Sequence, residues 1–309
     1  MPPYGRRLSR YSAVALVGAT GSGKSALAMR LDPPPALIIA CDSMQLYRGL
    51  DIGTAKPTRA ERTRIPHAMI DVLQLPQTGD AAWWAARCRE LIGACNARGV
   101  IPLIVGGTGL YLRALLQGLA EIPPERPEIR RRLEAIAARR GIAWLHHMLR
   151  RLDPESAARL AGRDRQRILR ALAVRLSSGQ PLSEWQRRPA SPFPLHCPVF
   201  VLEVPRPQLY PKLEQRFHAM IAQGWIEEVR WLASLGLDRG HPAMRAVGYR
   251  QLLQHIRGAL PLEEAIAAGI TATRRYAKRQ QTWFRHQHPG AIHGDGATLK
   301  PMIEQALHR

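Results

Sequence analysis

Gly18-Ala19-Thr20-Gly21-Ser22-Gly23-Lys24-Ser25 fits the spacing G-x-x-x-x-G-K-[ST] and directly follows the apolar run Ala13–Val17. Residues of those types at that spacing hold phosphate. Glycines permit a tight turn with unusual dihedrals, backbone N–H groups wrap around phosphate oxygens, and a helix opening at Lys24 aims its positive end into the concavity. Lys24 adds a point charge, and the Ser25 hydroxyl is suited to Mg²⁺. All eight residues are candidates for binding a diphosphate or nucleotide. The 45 basic residues include only five lysines, Lys24, Lys56, Lys212, Lys278 and Lys300. In so arginine-rich a chain, a lysine at this point suggests that a compact ammonium is needed.

Two more stretches carry chemistry. Asp42 comes just after the second apolar run, Ala36–Ala40, at the carboxyl end of what reads as a parallel strand, where α/β sheets hold their ligands. Three duties are open to it: holding Mg²⁺, acting as a base beside the phosphate loop, or capping the segment that follows. The fourth run, Ile101–Val105, ends in Gly106-Gly107-Thr108-Gly109 rather than in an acid. Glycines there let backbone approach a ligand, and the Thr108 hydroxyl is better suited to positioning a leaving group or acceptor than to activating water. Arg216 is either a further diphosphate clamp or an ordinary exposed helix arginine.

Those residues need a scaffold. Short apolar runs at Ala13–Val17, Ala36–Ala40, Ala68–Val72 and Ile101–Val105 alternate with helical segments, among them Lys24–Leu31 and Asp80–Arg98, which Asp80 caps and Gly99 ends. Residues 127–178 are helical throughout, with apolar spacing in Arg130–Arg140 and Ser156–Leu176, and the proline-rich Ser183–Pro194 closes that block. Pro198–Val204 then reads as a strand returning to the first sheet. Helices follow at Gln208–Gln223, Ile226–Ser234, Arg245–Arg257 and Leu262–Gln287. The expected fold class is α/β: a P-loop NTPase-like parallel sheet with helices on both faces and an inserted all-helical domain. The core takes residues 1–120 and 195–309, and the insert 121–194.

Bulk composition narrows the class. The chain has 309 residues, and 46% hydrophobic content is ample for a core. No apolar run is long enough to cross a membrane, and MPPYGRRLSRY has no apolar secretory segment. Cys41, Cys88, Cys95 and Cys197 include no C-x-x-C pair, so neither a disulfide framework nor a cysteine zinc site is indicated. A cytoplasmic, membrane-free monomer is expected. A GC-rich genome explains arginine over lysine. It does not explain 45 basic residues against 24 acidic ones, a net charge of +21 that is densest over residues 118–193. Such a surplus favours a polyanion, most simply nucleic acid.

Seven segments in order, GATGSGKS, DSMQLYRGLDIGTAKP, IPHAMID, VGGTGLYL, DRQRILRAL, RAVGYR and KRQQTWFR, span nearly the whole chain. In them the sequence resembles the bacterial tRNA dimethylallyltransferases, also called tRNA isopentenyltransferases. The phosphate loop alone is unspecific; the second, fourth and seventh segments are highly specific. The resemblance implies transfer of a five-carbon allylic group from dimethylallyl diphosphate to the exocyclic amine of the adenine just 3′ of the anticodon, in tRNAs reading codons that begin with U. It implies Mg²⁺ as cofactor and the tRNA anticodon stem-loop as partner. An adenine amine is a weak nucleophile, so the carboxylate of Asp42 would take its proton as the bond forms. Lys24, the loop amides and Mg²⁺ on Ser25 would stabilise the departing diphosphate, with Thr108 on either diphosphate or adenine.

The tRNA contacts implied by the resemblance fall at Asp42, Ser43, Met44 and Gln45; at Gln166, Arg167, Ile168, Leu169 and Arg170; and at Arg245, Ala246, Val247, Gly248, Tyr249 and Arg250. They continue at Lys278, Arg279, Gln280, Gln281, Thr282, Trp283, Phe284 and Arg285, with single positions at Thr108 and Arg130. Arg274, Lys278, Gln281 and Arg285 are spaced to share one helix face, either an RNA contact or a solvated surface. Trp283 and Phe284 suit base stacking but, at helical spacing, suit the core better. His286 and His288 are incidental. Departures from the family pattern are Ala19, Gly21 and Ser25 in the loop and Ala68 where a second histidine is common. None removes an assigned catalytic group. Two rival readings are a small-molecule transferase or kinase on the same core, which would not need the basic insert, and a non-catalytic RNA-binding protein.

Overall fold

The structure, a computed structural model, describes residues 11–188 and 195–308. The stretch 1–10, read above for a secretory segment, and residues 189–194 of the proline-rich closure lie outside the described residues. In chain order the elements are β1 (Val14–Gly18), α1 (Lys24–Ala28), β2 (Ile38–Cys41), α2 (Arg59–Arg64), β3 (His67–Ala68), α3 (Ala81–Ala97), β4 (Leu103–Gly106) and α4 (Gly109–Gln117). The next are α5 (Pro127–Leu152), α6 (Pro154–Arg159), α7 (Arg165–Ser178) and α8 (Leu182–Arg187). After them come β5 (Val199–Leu202), α9 (Arg206–Ala222), α10 (Trp225–Ser234), α11 (Pro242–Arg245), α12 (Tyr249–Ile256), α13 (Leu262–Gln287), β6 (Ile292–Gly294) and α14 (Gly296–Leu307).

All pairings in the six-stranded sheet are parallel, in the order β3-β2-β4-β1-β5-β6. The four long strands are buried along their whole length, the mark of a sheet covered on both faces. Val14, Leu16, Leu103, Val105 and Phe200 pack with Leu27 of α1 and with Leu299 and Ile303 of α14. On the opposite face the Trp84 indole of α3 donates to the Ala40 carbonyl (3.0 Å), and α13 lies against β1. β1 sits between β4 and β5, so the chain leaves β1, β2 and β4 at one edge with the phosphate loop, Asp42 and Thr108 side by side. Val17 and Cys41 both register with Gly106.

The chain separates into two compact units, one built from residues up to Leu116 and from Leu195 onward, the other beginning at Gln117. The second unit is all helical. Its core joins Leu133, Leu145 and Leu149 of α5 to Ile168, Leu169 and Leu172 of α7. Buried Asp153 caps α6 by accepting from the Ser156 amide (3.0 Å), and also accepts from the Ser183 amide and hydroxyl. Among the described residues no helix is long and apolar enough to cross a membrane.

Several expected boundaries move. Pro33-Pro34-Pro35 cannot continue a helix and disfavour helical backbone at Asp32, so α1 has five residues. The strand expected over Ala68–Val72 reduces to His67–Ala68, because Met69 and Asp71 take left-handed backbone (φ 61° and 56°). Residues 160–164 interrupt the helix expected from Ser156 to Leu176. The helix expected over Arg245–Arg257 begins only at Tyr249, after Gly248 (φ 88°), and Arg245 instead ends the short α11. Gly141 (φ 78°) breaks α5 where the Arg130–Arg140 pattern ends. Ser183 belongs to α8, not to a proline-rich coil. The strand β6 and the helix α14 carry no expectation above.

Candidate active site

The phosphate loop is built as its spacing implies. Gly21 and Gly23 take positive φ (75° and 89°), and the Ser22 amide donates to the Ala19 carbonyl (3.2 Å), which also accepts from Lys24 Nζ (3.2 Å). The Ser22 hydroxyl is buried with no protein partner, while Thr20, Gly21, Gly23, Lys24 and Ser25 line the cavity described below. Burial lowers the Lys24 pKa to about 8; the Asp42 carboxylate opposes that shift, and the Arg216 guanidinium adds to it. Burial also lowers the pKa of Arg216, again against the pull of Asp42. Those influences put the two cations and the carboxylate within range of one another.

Asp42 leaves β2 and uses one oxygen, Oδ1, to accept from the Met44 amide (2.8 Å). This is an Asx turn rather than a helix cap, since no helix follows β2 before Arg59, and Oδ2 has no partner among the described residues. Thr108 lies alongside: its amide donates to the Cys41 carbonyl (3.1 Å) and its Oγ1 accepts from the Ser43 amide (3.1 Å). The Tyr276 hydroxyl comes within hydrogen-bonding reach of Thr108. Burial, and then the charge of Asp42, raise its pKa.

Lys24, Ser25, Asp42 and Arg216 open into one cavity of about 600 Å³. Its polar end is the phosphate loop. Leu213, Phe217, Met220 and Trp225 form an apolar wall beside it. The Phe217 and Trp225 rings lie 4.8 Å apart, and Tyr249 meets Trp225 edge-on at 5.4 Å. Side chains at Gly53 and Gly248 would run into the Trp225 ring, which explains glycine in both DIGTAKP and RAVGYR. Gln45, Ala246, Val247 and Arg279 also line this cavity.

The motif around it is tied down by residues that spacing did not single out. Glu228 of α10 accepts from the amides of Asp51, Ile52 and Gly53 and from the Tyr249 hydroxyl (2.5 Å). Lys56 is almost fully buried and donates to the Tyr47 carbonyl (2.6 Å), Asp51 (2.6 Å) and Asp71 (2.5 Å), joining the second motif to IPHAMID. Arg62 binds the other oxygen of Asp71 (2.7 Å). Lys56 had two sequence cues, its place in DIGTAKP and its rarity as one of five lysines; Glu228 had none.

The RNA-contact candidates divide by exposure. Arg245, Arg250, Lys278, Arg279, Thr282 and Arg285 are exposed. Arg250 and Arg279, with Arg275, line a groove of about 560 Å³ between α12 and α13, and Arg275 had no sequence signal beyond its charge. Gln280, Phe284 and Tyr249 are buried. Trp283 is half-buried against Gly109. Of the four residues spaced to share a face of α13, Arg274 binds Glu214 (2.7 Å) and Gln281 donates to the Val204 carbonyl (3.0 Å), while Lys278 and Arg285 are exposed. In the helical unit, Ile168 and Leu169 are core residues. Arg130 and Arg170 both pair with Glu125 (3.3 and 2.7 Å), Arg167 is exposed, and Gln166 opens α7 beside it. Among the described residues no group of three His, Cys, Asp or Glu could hold a metal.

This arrangement has relatives. The family described as "IPP transferase" matches residues 45–287. The tRNA dimethylallyltransferase of Rhodospirillum centenum is 46% identical over 273 residues, 87% of each chain. That of Magnetococcus marinus is 45% identical over 280 residues, 89% of this chain and 91% of the relative. The crystal structure of the full-length tRNA isopentenylpyrophosphate transferase from Bacillus halodurans superposes with a TM-score of 0.67 at 32% identity, covering 96% of both chains. With a matching family profile over most of its length, near-half identity to such enzymes and their fold, the chain belongs to the IPP transferase family.

Proposed function

We propose that the protein transfers a dimethylallyl group from dimethylallyl diphosphate to the N6 amine of the tRNA adenosine next to the anticodon on its 3′ side, releasing diphosphate. One observation carries this reading. A phosphate cradle, a strand-end carboxylate and an apolar wall share a single cavity, and together they match a donor that is diphosphate at one end and hydrocarbon at the other. The family membership and the names of the relatives support the tRNA acceptor.

In this mechanism N6 attacks C1 of the allyl group, the C1–O bond breaks, and its electron pair leaves on diphosphate. The N6 proton passes to Asp42, whose Oδ2 is uncommitted while Oδ1 stays on the Met44 amide. Lys24, Arg216 and the loop amides bind the diphosphate and stabilise the charge that grows as it departs. The wall from Leu213 to Trp225 holds the five carbons away from water, which disfavours hydrolysis of the allyl group. Thr108 receives the Ser43 N–H on its oxygen and so has its own proton to donate to diphosphate or adenine. Mg²⁺ fits here: Ser25, beside Lys24, lines the cavity with Asp42, an oxygen-donor setting that would hold such a cation on a diphosphate. When bound, that ion neutralises diphosphate charge. Exposed Arg250, Arg275 and Arg279 and the surplus of arginine support an RNA backbone as partner, in the cytoplasm.

Incubation with labelled dimethylallyl diphosphate, Mg²⁺ and unmodified tRNA, followed by nucleoside analysis, tests the proposal. Label in N6-isopentenyladenosine from tRNA is expected. Label in free AMP, or ATP turnover without RNA, would support the small-molecule rival; tight tRNA binding without product would support the non-catalytic one.

A further inference from the structure

We propose that Gln280 is a positioning residue that fixes the phosphate loop against the Thr108 turn; this rests on the transfer reaction proposed above. Gln280 lies on α13, some 260 positions from the loop in sequence, and is only 7% exposed. Its side-chain amide is used at both ends. Oε1 accepts from the Thr20 amide inside the phosphate loop (2.8 Å), and Nε2 donates to the Gly107 carbonyl (2.8 Å) just before Thr108. Any side chain at residue 107 would collide with that Nε2, so the strap requires the glycine.

The chain of contacts runs further. From Gly107 the backbone passes to Thr108, whose Oγ1 accepts from the Ser43 amide, and Ser43 adjoins Asp42. Without Gln280, the cradle for the leaving group and the turn beside the base are joined mainly through β1 and β4. Strand pairing holds those up to Val17 and Gly106, just short of the loops that react. One amide therefore sets the distance between the departing diphosphate and the groups that receive the adenine. Reacting atoms must be aligned to within about half an ångström for efficient transfer, so a strap this close to both loops acts on rate. Gln280 lines the cavity, but the oxygen and the nitrogen of its amide are both engaged by backbone of the two loops.

The test compares the full-length wild type with Gln280→Met, which keeps length and burial but loses both hydrogen bonds, and Gln280→Glu, which keeps the acceptor for Thr20 and loses the donor to Gly107. Each variant is checked by thermal unfolding, then assayed for single-turnover rate, donor KM and tRNA Kd. The expected result is a loss of about tenfold or more in kcat/KM for the donor in Gln280→Met, with tRNA Kd within about twofold of wild type. Gln280→Glu should be at least as impaired. If Gln280→Met does not fold, Gly107→Ala attacks the same strap from the other side, and the same kinetic pattern is expected. A folded Gln280→Met with unchanged kcat and donor KM overturns the proposal. So does a tenfold weaker tRNA Kd with those constants unchanged, which would make Gln280 an RNA contact. Should wild type transfer nothing, the function reading fails separately. Binding of inorganic pyrophosphate with Mg²⁺ then decides for Gln280: weakening by Gln280→Met supports the strap, and equal affinity refutes it.

Discussion

Lys56→Met would remove a buried ammonium while keeping an unbranched apolar stem one atom shorter. Three contacts go with it: Tyr47 O at 2.6 Å, Asp51 at 2.6 Å and Asp71 at 2.5 Å. They are not equal. Asp51 is 61% exposed, so water replaces Lys56 there at little cost, and Asp71 keeps Arg62 at 2.7 Å. The Tyr47 carbonyl and one oxygen of Asp71 are left, losing a charged donor in a site with only partial water access. Breaking a buried pair costs about 3–5 kcal/mol, and the partial exposure of both acids puts this case near the lower bound, about 3 kcal/mol. At roughly 2–4 °C per kcal/mol for a unit of this size, the catalytic unit should unfold about 6–12 °C earlier in calorimetry. Donor KM should rise too, because Thr54 and Ala55, next to Lys56, line the cavity. A Tm within about 1 °C of wild type would refute the view that Lys56 holds the two motifs together.

Asp42→Asn keeps an acceptor for the Met44 amide and removes the base; transfer should fall by at least about 100-fold with tRNA and donor affinities near wild type, and near-normal turnover would dismiss Asp42 as base. Lys24 gives a pH dependence whose sign follows from burial. Its folded pKa of about 8 lies below the ordinary 10.5, so its buried charge costs stability at neutral pH, and that cost fades as pH rises through 8 toward 10.5. The same deprotonation removes the ammonium from the cradle. Donor affinity measured by calorimetry should hold below pH 7.5 and drop above pH 8, and Lys24→Arg should remove the drop; a flat wild-type profile to pH 9.5 would count against it. Arg279→Ala should weaken tRNA binding and lower the slope of log Kd against log salt by about 1, and an unchanged slope would dismiss a phosphate contact there.

How much of this site could be read in the sequence depends on how local each part is. The cradle is strand, turn and helix start within a few residues, so spacing alone marks it; Asp42 is placed by its strand end, while spacing leaves its duty open among three. The four long strands are legible because their runs are apolar throughout. β6 is not: Ile292-His293-Gly294 has one apolar residue, and only its pairing with β5 makes it a strand. α14 does have a local signal, an aspartate at 295 ahead of Leu299, Ile303 and Leu307, and Asp295 caps the helix by accepting from the Thr298 amide.

The largest gap concerns what each residue of a recognised motif does. A motif records that a stretch matters without separating contact from support. In KRQQTWFR the structure turns Lys278, Arg279 and Arg285 outward, buries Gln280 and Phe284, and sends Gln281 to the Val204 carbonyl. In DRQRILRAL Arg165 and Arg167 are exposed, Arg170 is half-buried on Glu125, and Ile168 and Leu169 fill the helical core. Helical period assigns a residue to a face, but which face meets the phosphate loop depends on packing between segments hundreds of residues apart. Tyr276 and Gln280, four apart on α13, reach Thr108 and Gly107 only because α13 packs on β1. The chemistry at the end of one strand is thus aligned by a helix near the other end of the chain, a relation that no local pattern contains.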